Sequence, residues 1–128
     1  MGSVLVIDDE KGITAVIREA LSLCGYDVQT AFNGTEGIQK FKNQVFDVVI
    51  TDIMMPLTDG NSVVRYIRDS NRSMTPIIGM SGTPLLLNGS GFDTVLFKPF
   101  PLQILINAVK TFPSRRADHE RIRLKACA

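Results

Sequence analysis

The chain has 128 residues with 45% apolar and 21% charged side chains and a formal net charge of +1, which suits one globular domain with a core of its own. No apolar run approaches the roughly 20 residues of a membrane span, Val4 to Ile7 leads at once into acidic residues rather than into a secretory leader, and two cysteines make no disulfide framework. A cytoplasmic protein with no membrane partner is therefore expected. Charge is unevenly spread: residues 1–112 carry 9 Lys/Arg against 11 Asp/Glu, and residues 113–128 carry 5 against 2. One domain over 1–112 followed by a basic tail or linker over 113–128 is the expected organisation, and the tail is too short to fold as an effector domain.

In chain order, Ser3 to Ile7 reads as a short buried strand that ends in Asp8-Asp9-Glu10. Ile13, Val16, Ile17, Ala20, Leu21 and Cys24 then recur at helical spacing, and Gly25 suits the end of that helix. Asp27 to Ala31 reads as a second strand. Asn33, with Glu36 three residues later, predicts a capping box opening a helix with Ile38 and Phe41 inside. Phe46 to Ile50 is an apolar run ending at Thr51-Asp52, the signature of a parallel strand buried on both faces. After Gly60, the residues Val63, Val64 and Ile67 predict a third helix, with Arg65, Arg68 and Arg72 on its wet side. Pro76 to Met80 is a fourth strand ending at Ser81, and Thr94 to Phe97 a fifth ending at Lys98-Pro99. Pro101 suits a helix start, with Leu102, Leu105, Ile106, Val109 and Phe112 on one face. Strand and helix alternate throughout, which predicts an α/β fold with a doubly wound parallel sheet.

In such a sheet, ligands gather beyond the carboxyl ends of the strands. Those ends deliver Asp8 and Asp9, Asp52, Ser81 and Lys98. Singly, each has an ordinary use: a helix cap, a first-turn acid, a turn hydroxyl, a surface lysine. Together, three carboxylates on one edge repel unless a cation sits among them, and a few oxygen ligands suit Mg²⁺. A lysine and a hydroxyl opposite can hold phosphoryl oxygens, and a carboxylate can itself be the nucleophile, forming an acyl phosphate. The residue types describe metal-assisted phosphoryl transfer onto an aspartate.

Asp8-Asp9 after an apolar strand, Thr51-Asp52-Ile53-Met54-Met55-Pro56, Asp59-Gly60, Ser81-Gly82 and Lys98-Pro99-Phe100, in that order over roughly residues 3–112, resemble the receiver domain of two-component response regulators. The resemblance implies a flavodoxin-like five-stranded sheet. It implies that Asp52 accepts a phosphoryl group from a phosphohistidine on a sensor histidine kinase or a histidine phosphotransfer protein, and that the domain signals to a downstream protein partner. It also implies direct Mg²⁺ binding by Asp9, Asp52 and the backbone carbonyl of Met54, with Asp8 acting through water. Lys98 would pair with the phosphoryl oxygens, Ser81 would move to bond one of them, and the Lys98–Pro99 peptide would be cis. Such a domain promotes its own phosphorylation and dephosphorylation without being a conventional enzyme. The basic tail lacks a helix-turn-helix pattern, so no sequence-specific nucleic-acid binding is expected.

Two features depart from the family pattern. Receivers usually carry Tyr or Phe three residues before the lysine, where the ring turns inward on phosphorylation; here that position is Val95, and the aromatic stands at Phe97. Only Gly82 to Asp93 separate Ser81 from the fifth strand, and Gly82, Pro84, Gly89 and Gly91 are poor helix material. The fourth helix is therefore expected to be short or absent, and the segment from Gly82 to Gly91 to be the moving part of any switch. These departures leave a phosphorylation-independent interaction module on a receiver fold as the alternative reading.

Overall fold

A computed structural model describes residues 2–55, 58–82 and 91–113. The described elements are β1 (Ser3–Ile7), α1 (Lys11–Leu23), β2 (Asp27–Ala31), α2 (Gly34–Asn43), β3 (Val48–Asp52), α3 (Gly60–Asp69), β4 (Ile77–Ser81), β5 (Thr94–Phe97) and α4 (Leu102–Lys110). The five strands form one sheet in the order β2-β1-β3-β4-β5, parallel throughout. The expected fourth helix and the expected moving segment fall on residues 83–90, which lie outside the described residues. No helix among the described residues is long and apolar enough to cross a membrane.

The central strands are apolar on both faces because helices cover both. On one face Val4, Val6, Val48, Ile50, Ile78 and Met80 pack with Ile17 and Leu21 of α1 and Leu105 and Val109 of α4. On the other, Leu5, Ile7, Val49 and Ile77 pack with Phe41 of α2 and Val63, Val64 and Ile67 of α3. Alternation along each strand therefore sends Asp8 and Asp52 to the α1/α4 side and Ser81 to the α2/α3 side. Chain order reverses between β1 and β3, so the topological switch point opens beside the ends of these two strands.

Local signals mostly act as expected. The Asn33 side chain accepts the Glu36 N–H at 2.7 Å, while the Glu36 carboxylate reaches back to the N–H of Phe32, one residue earlier than the usual capping box. Asp59 caps α3 by accepting the Ser62 N–H at 2.9 Å. In α1 the buried positions are Thr14, Ile17 and Leu21, whereas Val16 is 54% exposed. The apolar stripe is thus rotated toward Thr14, whose hydroxyl is satisfied within the helix by the Lys11 carbonyl.

The arginines of the third helical segment require a correction. Arg65 is exposed, but Arg68 and Arg72 are not simply a wet face. Arg68 donates to the carbonyls of Gly91, Ser73 and Thr75 and to the Asp93 carboxylate. Arg72 lies beyond α3, donates to the carbonyls of Phe41 and Gln44, and sits 4.3 Å from the Phe41 ring centroid. Guanidinium groups with several fixed donors are suited to gathering loop carbonyls that no helix or strand satisfies.

Candidate functional site

Asp8 follows β1 and is completely buried. Its backbone N–H continues the β1–β2 ladder by donating to the Ala31 carbonyl at 3.0 Å. Both carboxylate oxygens are engaged, one by the Glu10 N–H at 3.0 Å and the other by Lys98 Nζ at 3.1 Å. Asp9, next in sequence, is exposed. Asp52 ends β3 and is 6% exposed. Oxygens from Asp8, Asp9 and Asp52 lie within 4.8 Å of one another.

The loop after Asp52 is held close to the sheet. The Thr51 hydroxyl donates to the Asp52 carbonyl, and the Gly60 N–H donates to the Ile53 carbonyl at 2.9 Å. A Cβ at Gly60 would lie 2.4 Å from the Asp52 carbonyl oxygen and 2.8 Å from Ile53 Cα, so only glycine lets α3 start directly against this turn. Met54 is largely exposed.

Lys98 comes from the end of β5. Its N–H donates to the Ser81 carbonyl at 2.7 Å, the Lys98–Pro99 peptide is cis, and its ammonium lies 3.5 Å from Asp52. Ser81 is buried at the end of β4. Thus Asp8, Asp9, Asp52 and Lys98 form one contiguous cluster, with Ser81 attached to it through the backbone of Lys98.

Electrostatics follow from this crowding. Burial, together with the neighbouring Asp8 charge, pushes the Asp52 carboxyl up to about 6, with Lys98 opposing. Burial works to lower the Lys98 ammonium, but its hydrogen bond and charge interaction with Asp8, helped by Asp52, outweigh it and raise the group. Three carboxylates facing one ammonium leave an uncompensated negative charge. All the donors are hard oxygens and Asp9 opens to solvent, so the set fits a divalent cation such as Mg²⁺ that keeps part of its water shell.

One contributor to the site and one neighbour of β4 have little or no signature in the sequence. The Glu10 N–H that holds Asp8 belongs to the backbone and has no side-chain signature. Phe92, which packs over Gly79 of β4, had one visible trace: a glycine inside an apolar strand, which often marks a close approach.

A doubly wound sheet with clustered carboxylates and a lysine at its carboxyl edge is an α/β domain that can place a hard cation beside an oxyanion. The chain matches the response regulator receiver domain over residues 4–110, and it belongs to that family. It is 33% identical over 123 residues to the transcriptional regulatory protein TrcR of Mycobacterium tuberculosis, covering 92% of this chain and 48% of that protein. It is 35% identical over 109 residues to sensor protein EvgS of Escherichia coli O157:H7, covering 80% of this chain and 9% of that protein. Among solved structures it resembles the chemotaxis response regulator CheY4 of Vibrio cholerae, with a TM-score of 0.81 at 29% identity over 87% of this chain and 98% of that one. It also resembles the response regulator TrrA of Thermotoga maritima, solved in complex with Mg²⁺–BeF, with a TM-score of 0.79 at 32% identity over 87% of this chain and 98% of that one. The chain therefore spans about half the length of TrcR and a small part of EvgS. Its fold is the flavodoxin-like receiver fold, and its class is the receiver domain of two-component signalling.

Proposed function

We propose that residues 1–112 act as a cytoplasmic phosphorylation switch in which Asp52 is the phosphoacceptor and a sensor histidine kinase or histidine phosphotransfer protein is the donor. The carrying observation is the position of Asp52, buried at the end of the central strand with Lys98 on one side and Asp8 and Asp9 on the other. A carboxylate oxygen of Asp52 forms the new bond to phosphorus while the phosphorus–nitrogen bond to the donor imidazole breaks, its electron pair staying on nitrogen. Lys98 holds the phosphoryl oxygens and Ser81 bonds one of them. Asp9, Asp52 and the Met54 carbonyl would hold Mg²⁺, with Asp8 acting through water; the bound cation supplies neutralisation of phosphoryl charge.

Incubation with phosphoramidate and Mg²⁺, followed by intact mass, tests this reading. One phosphoryl group is expected on the wild-type chain, none at this site in Asp52→Asn, and none in excess chelator. Full-yield labelling of Asp52→Asn would refute it.

The two aspartates after β1 should differ in the metal titration. Asp8 already has a partner on each oxygen, whereas Asp9 faces solvent. Asp9→Ala is expected to weaken Mg²⁺ binding by at least tenfold, about 1.4 kcal/mol, and Asp8→Ala by less. A calorimetric titration giving equal losses would count against Asp9 as the direct ligand.

A further inference from the structure

Gly79 lies at the centre of β4, where a glycine weakens a strand and often marks a place that another group needs. A Cβ built there would lie 2.8 Å from both Cδ1 and Cε1 of Phe92 and 3.3 Å from Ile53 Cδ1. The Phe92 ring therefore occupies the volume that a side chain at position 79 would take. Alternation puts Gly79 on the same face as Ser81, two residues along. Ile53 follows Asp52 directly, and its N–H donates to the Met80 carbonyl at 2.9 Å. The ring thus lies over β4, the strand that delivers the proposed phosphoryl-binding serine, on the face that the side chain of Ile53, the residue after the proposed phosphoacceptor, also approaches.

The backbone carrying this ring is pinned. Gly91 has φ +109°, a conformation that suits glycine, and its carbonyl accepts from Arg68 Nε at 3.0 Å. The Asp93 N–H donates to the Ile77 carbonyl at 2.9 Å, and the Asp93 carboxylate accepts the Ile77 N–H at 2.8 Å and Arg68 Nη2 at 2.8 Å. Residues 91–93 are thereby fastened to the start of β4 and to the last turn of α3. What remains adjustable is the ring itself, which packs against the α3 side of the core. The register sets Thr51 of β3 and Val95 of β5 on either side of Gly79, and Val95 is too small and too stiff at χ1 to act as a swinging group.

We propose that Phe92, seated over Gly79, is the aromatic that reports the state of Asp52 and passes it to α3 through the ring contacts and the Arg68 clamp. The inference rests on the reading of Asp52 and Ser81 as phosphoacceptor and phosphoryl-binding hydroxyl. When Ser81 is drawn to a phosphoryl oxygen, the ends of β3 and β4 shift relative to one another. The ring seated on the face of β4 over Gly79 then takes a second seat, because packed contacts switch between discrete arrangements rather than deforming smoothly.

The test uses the full chain with Mg²⁺ and beryllofluoride as the phosphoryl mimic, read by methyl NMR at Ile53 and Val64 and by amide exchange over residues 60–69. Phosphoryl uptake is measured in parallel by intact mass. In the wild type, the Ile53 and Val64 methyl resonances shift and exchange over α3 changes. Phe92→Leu keeps its phosphoryl uptake but loses the change over α3, whereas Phe97→Leu, at the exposed aromatic paired with Ser81 in the register, keeps both. Uptake with unmoved Ile53 and Val64 methyls, an undiminished α3 response in Phe92→Leu, or its loss in Phe97→Leu instead would overturn the inference alone. Absence of any uptake by the wild type would overturn the phosphoacceptor reading, and this inference with it.

Discussion

Asp52→Asn is expected to stabilise the metal-free protein at neutral pH, and the gain should fade as pH falls from about 6 toward 4. The Asp52 carboxyl is raised from 3.8 to about 6 in the folded state, so between those values the native chain binds a proton that the unfolded chain has released. Stability then decreases as pH rises through this window. Above it, wild type bears the full cost of a charged Asp52 beside Asp8, an upper bound of about 3 kcal/mol. Below it, Asp52 is neutral in both states and the two proteins converge. Asparagine retains the shape and carries no charge at any pH. Urea unfolding in excess chelator at a series of pH values would check this; a difference that stays flat from pH 4 to 8 would contradict it. Adding Mg²⁺ should shrink the difference at neutral pH, because a cation that binds only the native wild-type site stabilises that protein by mass action.

Removing the cation should have the opposite sign and a larger size. Lys98→Met is expected to cost about 3–5 kcal/mol at neutral pH, the range found when one partner of a buried ion pair is deleted. Asp8 is wholly buried and would keep only the Glu10 N–H. Asp52 would lose the charge that opposes its upward shift, so the variant should lose stability still more steeply as pH rises through 6. The contribution of the lysine itself has a different window. A raised ammonium contributes fully below its ordinary value of 10.5 and is lost only as pH climbs through the higher folded value. Asp8→Asn added to Lys98→Met should recover much of the loss, since the uncompensated buried charge is gone. A double-mutant cycle measures that coupling; additive single costs would show that Lys98 and Asp8 do not act as a pair.

Much of this protein is legible in its sequence. Apolar runs at 4–7, 48–50 and 77–80 read as buried parallel strands once helical periodicity separates them, and each is followed within two residues by an acidic or hydroxyl side chain. Asp8, Asp9, Asp52 and Lys98 were readable because strand ends in an alternating α/β chain must share one edge. The cap at Asn33 was equally visible, since it depends on residues three apart, whereas the Asp59 cap of α3 is shown by the structure.

What only the tertiary structure decided are the contacts made by groups distant in sequence. Arg68 and Arg72 look like the polar face of a helix, because helical period says which way a side chain leaves the axis but not which loop carbonyls await it. Val16 fits the apolar stripe of α1 in sequence, yet the way α1 is rotated against the sheet buries Thr14 and leaves Val16 largely exposed. Gly79 and Phe92 are 13 positions apart and carry no shared pattern, but the segment before β5 lies against β4 and makes the absence of one side chain the seat of the other. Sequence by itself determined which polar and charged residues end each strand, because periodicity and chain direction are local. Partnership across the sheet depended on three-dimensional volume, which no local pattern encodes.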